Sequence, residues 1–262
     1  LVQGQGGNPD LEGLRAVVVT ADERDVYVAA LTSETVTMIT RTETEYVWAD
    51  SIAAGPVTAL ALSDDEMTLY AGGMHGLRAF ARASDGQLTE LTSWDEPTNG
   101  LATAGDWLVR TDDAALVLYT AGLDGLTELA RIDDPSLAGL GRPRFTADGQ
   151  YVYALAYETS TVVGWRIVED SLVEVARVSE QPGLASPDDL AITPDGAMVY
   201  VSGFCDRDIA VFERDAVTGG LTWANTGRGE LRQDIGCEVR GPGGGGDDER
   251  SEETAPPEHP GG

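Results

Sequence analysis

The strongest constraint on this chain is that it repeats itself. Val17–Ala29 reads VVVTADERDVYVA, Leu60–Gly72 LALSDDEMTLYAG, Pro143–Leu155 PRFTADGQYVYAL and Leu190–Ser202 LAITPDGAMVYVS. In each copy a hydroxyl residue stands seven places before a tyrosine: Thr20 and Tyr27, Ser63 and Tyr70, Thr146 and Tyr153, Thr193 and Tyr200. A degenerate copy, TAGDWLV, runs from Thr103 to Val109. The hydroxyl anchors fall at 20, 63, 103, 146 and 193, so the period is 40–47 residues. A period of that length marks a repeat architecture in which each unit buries its apolar face against the next.

Each copy resolves into four short strands. An apolar strand (Ala16–Thr20, Leu190–Thr193) is followed by an Asp/Gly turn, then by a strand carrying the tyrosine. A loop of small and polar residues leads to a third strand (Leu77–Ala81, Ile209–Glu213). A turn then leads to a fourth (Gln87–Leu91, Gly125–Arg131, Ser171–Val175, Gly220–Trp223). Short alternating runs with turn residues every 8–12 positions predict an all-β chain. No stretch holds a sustained helical apolar period. Four-stranded units of this length predict a β-propeller. Five blades are visible, and Leu1–Gln3 is expected to be one leftover outer strand.

The stretch Leu190–Ser202, followed by DIAVFERDAVTGGLT over Asp208–Thr222, resembles the repeat of the bacterial β-propeller lactonase-like proteins. These YVTN-repeat proteins include the propeller type of 6-phosphogluconolactonase. The resemblance spans Leu1 to about Asn225, strongest in the last repeat and weakest around Thr103. It implies a ring that closes with seven blades. The five copies are therefore expected to be part of such a ring, or to form a smaller one. The resemblance also implies a site of Arg, His and acidic residues at the channel mouth. It assigns no catalytic residue, because the matching positions are strand and turn residues that any such blade needs.

The chemistry is bounded by charge. The 262 residues carry a formal charge of −28, and all 17 basic residues are arginine. Without lysine there is no Schiff base and no P-loop lysine. So negative a field repels nucleic-acid backbones and anionic lipid, so neither nucleic-acid binding nor membrane insertion is expected. The first residue is Leu1, which reads as a processed protein or a piece of a longer one. Residues 1–240 read as the propeller domain. Residues 241–262 (GPGGGGDDERSEETAPPEHPGG) read as a disordered tail, too poor in apolar side chains to offset ordering.

Among candidate ligand-binding residues, Arg15, Arg142 and Arg144 lie near the starts of first strands, which line a propeller's channel. Alternation puts Arg142 and Arg144 on one face. Converging guanidinium groups suit a carboxylate or phosphate, unless each is paired with an acid such as Asp189. His75 sits in a GGMHG loop at one rim and reads either as an exposed turn residue or as a ligand contact, whereas His259 falls in the tail. No Gly-x-Ser-x-Gly elbow occurs, so Ser-His-Asp hydrolysis has no support. Paired loop acids such as Asp64 with Asp65 and Asp188 with Asp189 suit calcium only weakly, so no cofactor is expected. Cys205 and Cys237 are expected to form one disulfide in an oxidising compartment. That pairing and the acidic surface point to an extracellular or periplasmic protein.

With no catalytic motif, the residues read first as a secreted or surface scaffold that binds a protein or carbohydrate partner. The alternative, carried by the resemblance, is a lactone hydrolase acting at the channel mouth.

Overall fold

The structure, a computed structural model, describes residues 11–122 and 125–228. The expected outer strand at Leu1–Gln3, Cys237 and the tail lie outside the described residues. The described residues are all-β, as the repeats predict, with a short 3-10 turn at Pro135–Leu137. Blade 1 holds β1 (Leu14–Val19), β2 (Asp25–Ala30), β3 (Thr35–Arg41) and β4 (Tyr46–Ala53). Blade 2 holds β5 (Val57–Leu62), β6 (Thr68–Gly73), β7 (Gly76–Arg82) and β8 (Leu88–Trp94). Blade 3 holds β9 (Gly100–Ala104), β10 (Trp107–Thr111), β11 (Ala115–Gly122) and β12 (Gly125–Asp133). Blade 4 holds β13 (Leu140–Phe145), β14 (Tyr151–Ala156), β15 (Thr161–Val168) and β16 (Ser171–Ser179). Blade 5 holds β17 (Pro187–Ile192), β18 (Met198–Gly203), β19 (Asp208–Arg214) and β20 (Leu221–Arg228). Every sheet is an antiparallel meander in chain order, and the first strands of successive blades touch along the inner side.

The repeated hydroxyl has a structural task. Thr20 Oγ1 donates to Asp22 at 2.6 Å and accepts from the Asp25 N–H at 3.0 Å, which closes the turn between the first two strands. Ser63, Thr146 and Thr193 repeat the bond to Asp65, Asp148 and Asp195, each at 2.6 Å. These hydroxyl donors hold the four aspartates below the usual carboxylate range. The degenerate copy has Gly105 at the aspartate position and leans on blade 2 instead. There the Gly105 N–H donates to Asp64 and the Thr103 hydroxyl to the Leu62 carbonyl, both at 2.6 Å.

The outer strands run longer than the sequence predicts; β20, for example, extends to Arg228 rather than ending at Trp223. Their residues are half-exposed or exposed, with polar side chains mixed among the apolar ones, so an apolar pattern understates them. Each also pairs with its third strand through a β-bulge, which breaks the two-residue alternation.

The core lies between blades. Tyr27 and Met38 pack with Leu69 and Phe80 across blades 1 and 2. Tyr70 and Leu77 pack with Leu108 and Tyr119 across blades 2 and 3. Leu118 packs with Val152 and Trp165 across blades 3 and 4, and Tyr153 with Val199 and Phe212 across blades 4 and 5. Each large apolar side chain so buried contributes about 1.5–3 kcal/mol. Among the described residues no such core joins blade 5 back to blade 1. Instead Leu14, Val17 and Val19 on β1 are 50–61 % exposed. Among the described residues the five blades therefore form an arc whose blades 1 and 5 share no core.

Candidate functional site

Four of the five first strands carry a β-bulge near their start, at Arg15, Thr58, Arg142–Pro143 and Asp188. A bulge turns the extra residue out of the ladder and re-aims its side chain. Here the re-aimed residues meet at one end of the channel. Arg15, Thr58, Asn99, Arg142, Tyr157 and Asp188 line a cavity of about 310 Å³ there, so every blade contributes. Arg142 reaches it through a left-handed backbone, φ 53°, a conformation that side-chain-bearing residues adopt at a cost of about 1–3 kcal/mol. The cavity continues down the channel into a second space of about 330 Å³, lined also by Arg144 and Asp189.

Three of the expected ligand-binding residues therefore converge. Arg15 and Arg142 share both cavities, although 127 positions separate them. Arg142 and Arg144 both face the channel, but not by simple alternation: the bulge between Gly141 and Arg144 sets their directions. The fourth, His75, is elsewhere. It lines a separate cleft of about 270 Å³ with Glu34, Gly55 and Arg78, between blades 1 and 2 and off the channel axis. Cys205 places its sulfur 3.3 Å from the Ser186 hydroxyl, in the loop between β18 and β19.

The mouth combines both signs of charge. Arg142 Nε donates to the Asp188 carbonyl at 3.1 Å, and its Nη2 lies 4.0 Å from the Asp188 carboxylate. Arg144 Nη2 pairs with Asp189 at 3.3 Å. Both arginines are thus held by the next blade, which fixes their direction. Arg15 makes no ion pair among the described residues. Three guanidinium groups against two carboxylates leave one positive charge at the mouth of a strongly acidic protein. Sequence reasoning missed Thr58, Asn99 and Tyr157. It had placed Asp188 and Asp189 only as loop acids or as partners for arginine. The available signal was position: Thr58 and Asp188 occupy the same bulge as Arg15 and Arg142. No cluster of three or more His, Cys, Asp or Glu side chains suited to a metal ion occurs among the described residues.

Comparison with known proteins gives this site a context. Residues 138–228, which cover blades 4 and 5, match the family described as lactonase, seven-bladed β-propeller. No curated protein matches the sequence. Among solved structures, a candidate 6-phosphogluconolactonase from Bacteroides uniformis superposes with a TM-score of 0.71 at 14 % identity, over 80 % of this chain and 70 % of that one. The periplasmic gluconolactonase PpgL of Pseudomonas aeruginosa gives 0.66 at 14 % identity, over the same 80 % and 70 %. The β-propeller domain of Myceliophteria thermophila Cps50 (Swd1) also matches, at 0.62 and 13 % identity over 82 % and 72 %. At such identities structural likeness establishes the fold alone. The resemblance to lactonase-like propellers is borne out, by sequence over blades 4 and 5 and by fold over all five.

The reading of the chain as a binding scaffold is corrected by the same match. The lactonase family model lies on the two blades that supply Arg142, Arg144, Asp188 and Asp189. The repeat over Leu190–Thr222, inside the matched span, already carried the lactonase alternative, but no catalytic motif accompanied it to raise that alternative above the scaffold reading.

Proposed function

We propose that this protein hydrolyses sugar lactones at the channel mouth. The observation that carries the reading is the meeting of Arg15 and Arg142 with the Asp188 carboxylate in a cavity of about 310 Å³. That volume falls at the lower end of the range for small-molecule sites. Ring opening needs water to attack the lactone carbonyl, a base to take the water's proton, and donors to stabilise the oxyanion that forms. Asp188 is the base in this reading, and the proton it takes from water is returned to the ring oxygen as the acyl C–O bond breaks and the hydroxy acid forms. Arg142, held in place by the Asp188 carbonyl, is the oxyanion donor, and Arg15 steers the ring and holds the carboxylate of the product. Pre-aimed donors suit this chemistry because they need not reorganise as charge develops. An extracellular or periplasmic location accompanies the proposal, supported by the periplasmic gluconolactonase among the structural neighbours. No helix among the described residues is long and apolar enough to cross a membrane.

The test is a pH-stat assay with glucono-δ-lactone and its 6-phosphate, with and without calcium. Arg142→Ala is expected to lower kcat/KM about 100-fold, the scale for losing one oxyanion donor. Ring opening no faster than in buffer for both lactones would refute the proposal.

A further inference from the structure

The junction of blades 1 and 2 is built more sparely than the other three. The segment that carries the chain from one blade's fourth strand to the next blade's first spans residues 95–99, 134–139 and 180–186 at the later junctions, but only 54–56 at the first. Each longer segment buries a side chain of some size, Thr98, Leu137 or Leu184, all at most 1 % exposed. The short one fully buries only Ala54. The hairpin beside it is short as well. The turn between second and third strands covers 31–34, 157–160 and 204–207 in blades 1, 4 and 5, but only Met74 and His75 in blade 2. A Cβ on either flanking glycine, Gly73 or Gly76, would run into the Pro56 or the Trp94 carbonyl, so this tight reversal needs bare backbone.

The two shortenings together leave the cleft of about 270 Å³ in which His75 lies. Its charged lining comes from both blades, Glu34 from blade 1 and His75 with Arg78 from blade 2. The linker fixes the backbone of Glu34, whose carbonyl accepts from the N–H groups of Ala54 and Gly55 at 2.9 and 3.1 Å. Yet neither the Glu34 carboxylate nor the His75 imidazole has a hydrogen bond or an ion pair among the described residues. Arg78 is engaged through Nη1 alone, by Glu90 at 2.7 Å. The junction of blades 4 and 5 shows the closed alternative. There Asp206, in the corresponding turn, accepts from the N–H groups of Gly183 and Ala185 at 2.8 and 3.1 Å and so ties turn to linker.

The cleft thus sets an unused negative group on one wall against unused N–H donors on the other. A carboxylate matches Arg78 and the His75 N–H, and an ammonium group matches Glu34. A molecule carrying both also escapes the repulsion that a formal charge of −28 imposes on any net anion. The volume lies below the range for drug-sized ligands, so the occupant is small. We propose that the cleft between blades 1 and 2 binds a free α-amino acid, its carboxylate on Arg78 and His75 and its ammonium on Glu34. The cleft shares no lining residue with the two channel cavities, and the inference is independent of the proposed reaction.

Calorimetric titration with L-serine and L-glutamine tests it. L-Lactate serves as the acid without the ammonium, and ethanolamine as the amine without the carboxylate. The expected result is saturable binding of at least one of the two amino acids, with lactate and ethanolamine weaker by about tenfold or more. Glu34→Gln and His75→Ala, both at exposed positions, should each weaken that binding about tenfold while Tm stays unchanged. Arg142→Ala, which alters the channel instead, should bind the amino acid as the native chain does. No binding of either amino acid, lactate binding as tightly as serine, or undiminished binding in Glu34→Gln or His75→Ala overturns the proposal. Loss of binding in Arg142→Ala also overturns it, because the amino acid would then sit in the channel.

Discussion

Arg214 and Tyr153 meet across the boundary of blades 4 and 5, the guanidinium Nε donating to the phenolic oxygen at 2.8 Å. Tyr153 is fully buried, and burial pushes its phenol up from the ordinary value despite the arginine beside it. The same guanidinium lies 4.3 Å from the centroid of the Tyr151 ring. Tyr153→Phe keeps the ring but leaves the Gly219 carbonyl and the arginine without their hydroxyl. The expected cost is about 1–3 kcal/mol, the penalty for an unsatisfied buried group. Chemical denaturation should show a lower midpoint with an unchanged slope.

Gly219 completes that junction by conformation as well as by its carbonyl. It sits at φ 77°, and a Cβ there would run into the Tyr151 ring and press on Val175. Gly219→Ala therefore adds backbone strain to a steric clash. A loss of about 2 kcal/mol or more is expected from the two together. Gly105→Ala is the control: its φ is similar, at 56°, but its Cβ would meet nothing within 4 Å. The difference between the two melting shifts isolates the packing cost.

How far these junctions were legible in the sequence depends on whether they are local. The Thr20–Asp22 turn was visible because the two residues are neighbours and the pattern repeats. The tyrosine was visible as a spacing, but its task was not, since Gly86, whose carbonyl accepts the Tyr27 hydroxyl, lies 59 positions beyond it. The channel site was half legible. First strands face the axis in any propeller, so Arg15, Arg142 and Arg144 could be named. His75 was drawn in because loops at one rim look alike in sequence, although its cleft lies off the axis. Asn99 and Tyr157 carry no signal, because nothing local distinguishes them from other polar or aromatic residues.

Blades 3 and 4 are also joined at their outer edge, by Arg177 and Asp134 at 2.7 Å. The Ser136 side chain and then Arg177 hold the Asp134 carboxyl down at about 2. A carboxyl depressed in the folded state stabilises above its unfolded value near 3.8, and that contribution is lost as pH falls toward 2. Partial exposure screens the pair, so the contribution is about 1 kcal/mol. Asp134→Asn should be less stable than the native chain at pH 6 by about that amount. The gap should close between pH 4 and pH 2, measured by urea titration at each pH. A gap independent of pH would assign the loss to packing.

Salt should stabilise this protein to a degree unusual for its size. The chain carries 45 acidic side chains against 17 arginines, so charges of one sign crowd most of its surface. Folding concentrates those charges, and their repulsion works against the compact arc. The Debye length falls from about 10 Å at 0.1 M to about 3 Å at 1 M salt, which removes repulsion between all but adjacent groups. Twelve ion-pair contacts among the described residues are weakened by the same screening, but most have an exposed partner and are worth about 0–1 kcal/mol each, against a net excess of 28 acidic groups, so the net sign favours the folded state. Raising sodium chloride from 0.1 to 1 M is expected to raise Tm by about 5 °C or more, the effect of a few kcal/mol on a domain of this length. Choline chloride should reproduce the shift, because screening does not depend on which cation supplies it. A shift seen with sodium alone would mean a specific cation site, and an unchanged Tm in both salts would show that the acidic groups are far enough apart not to repel.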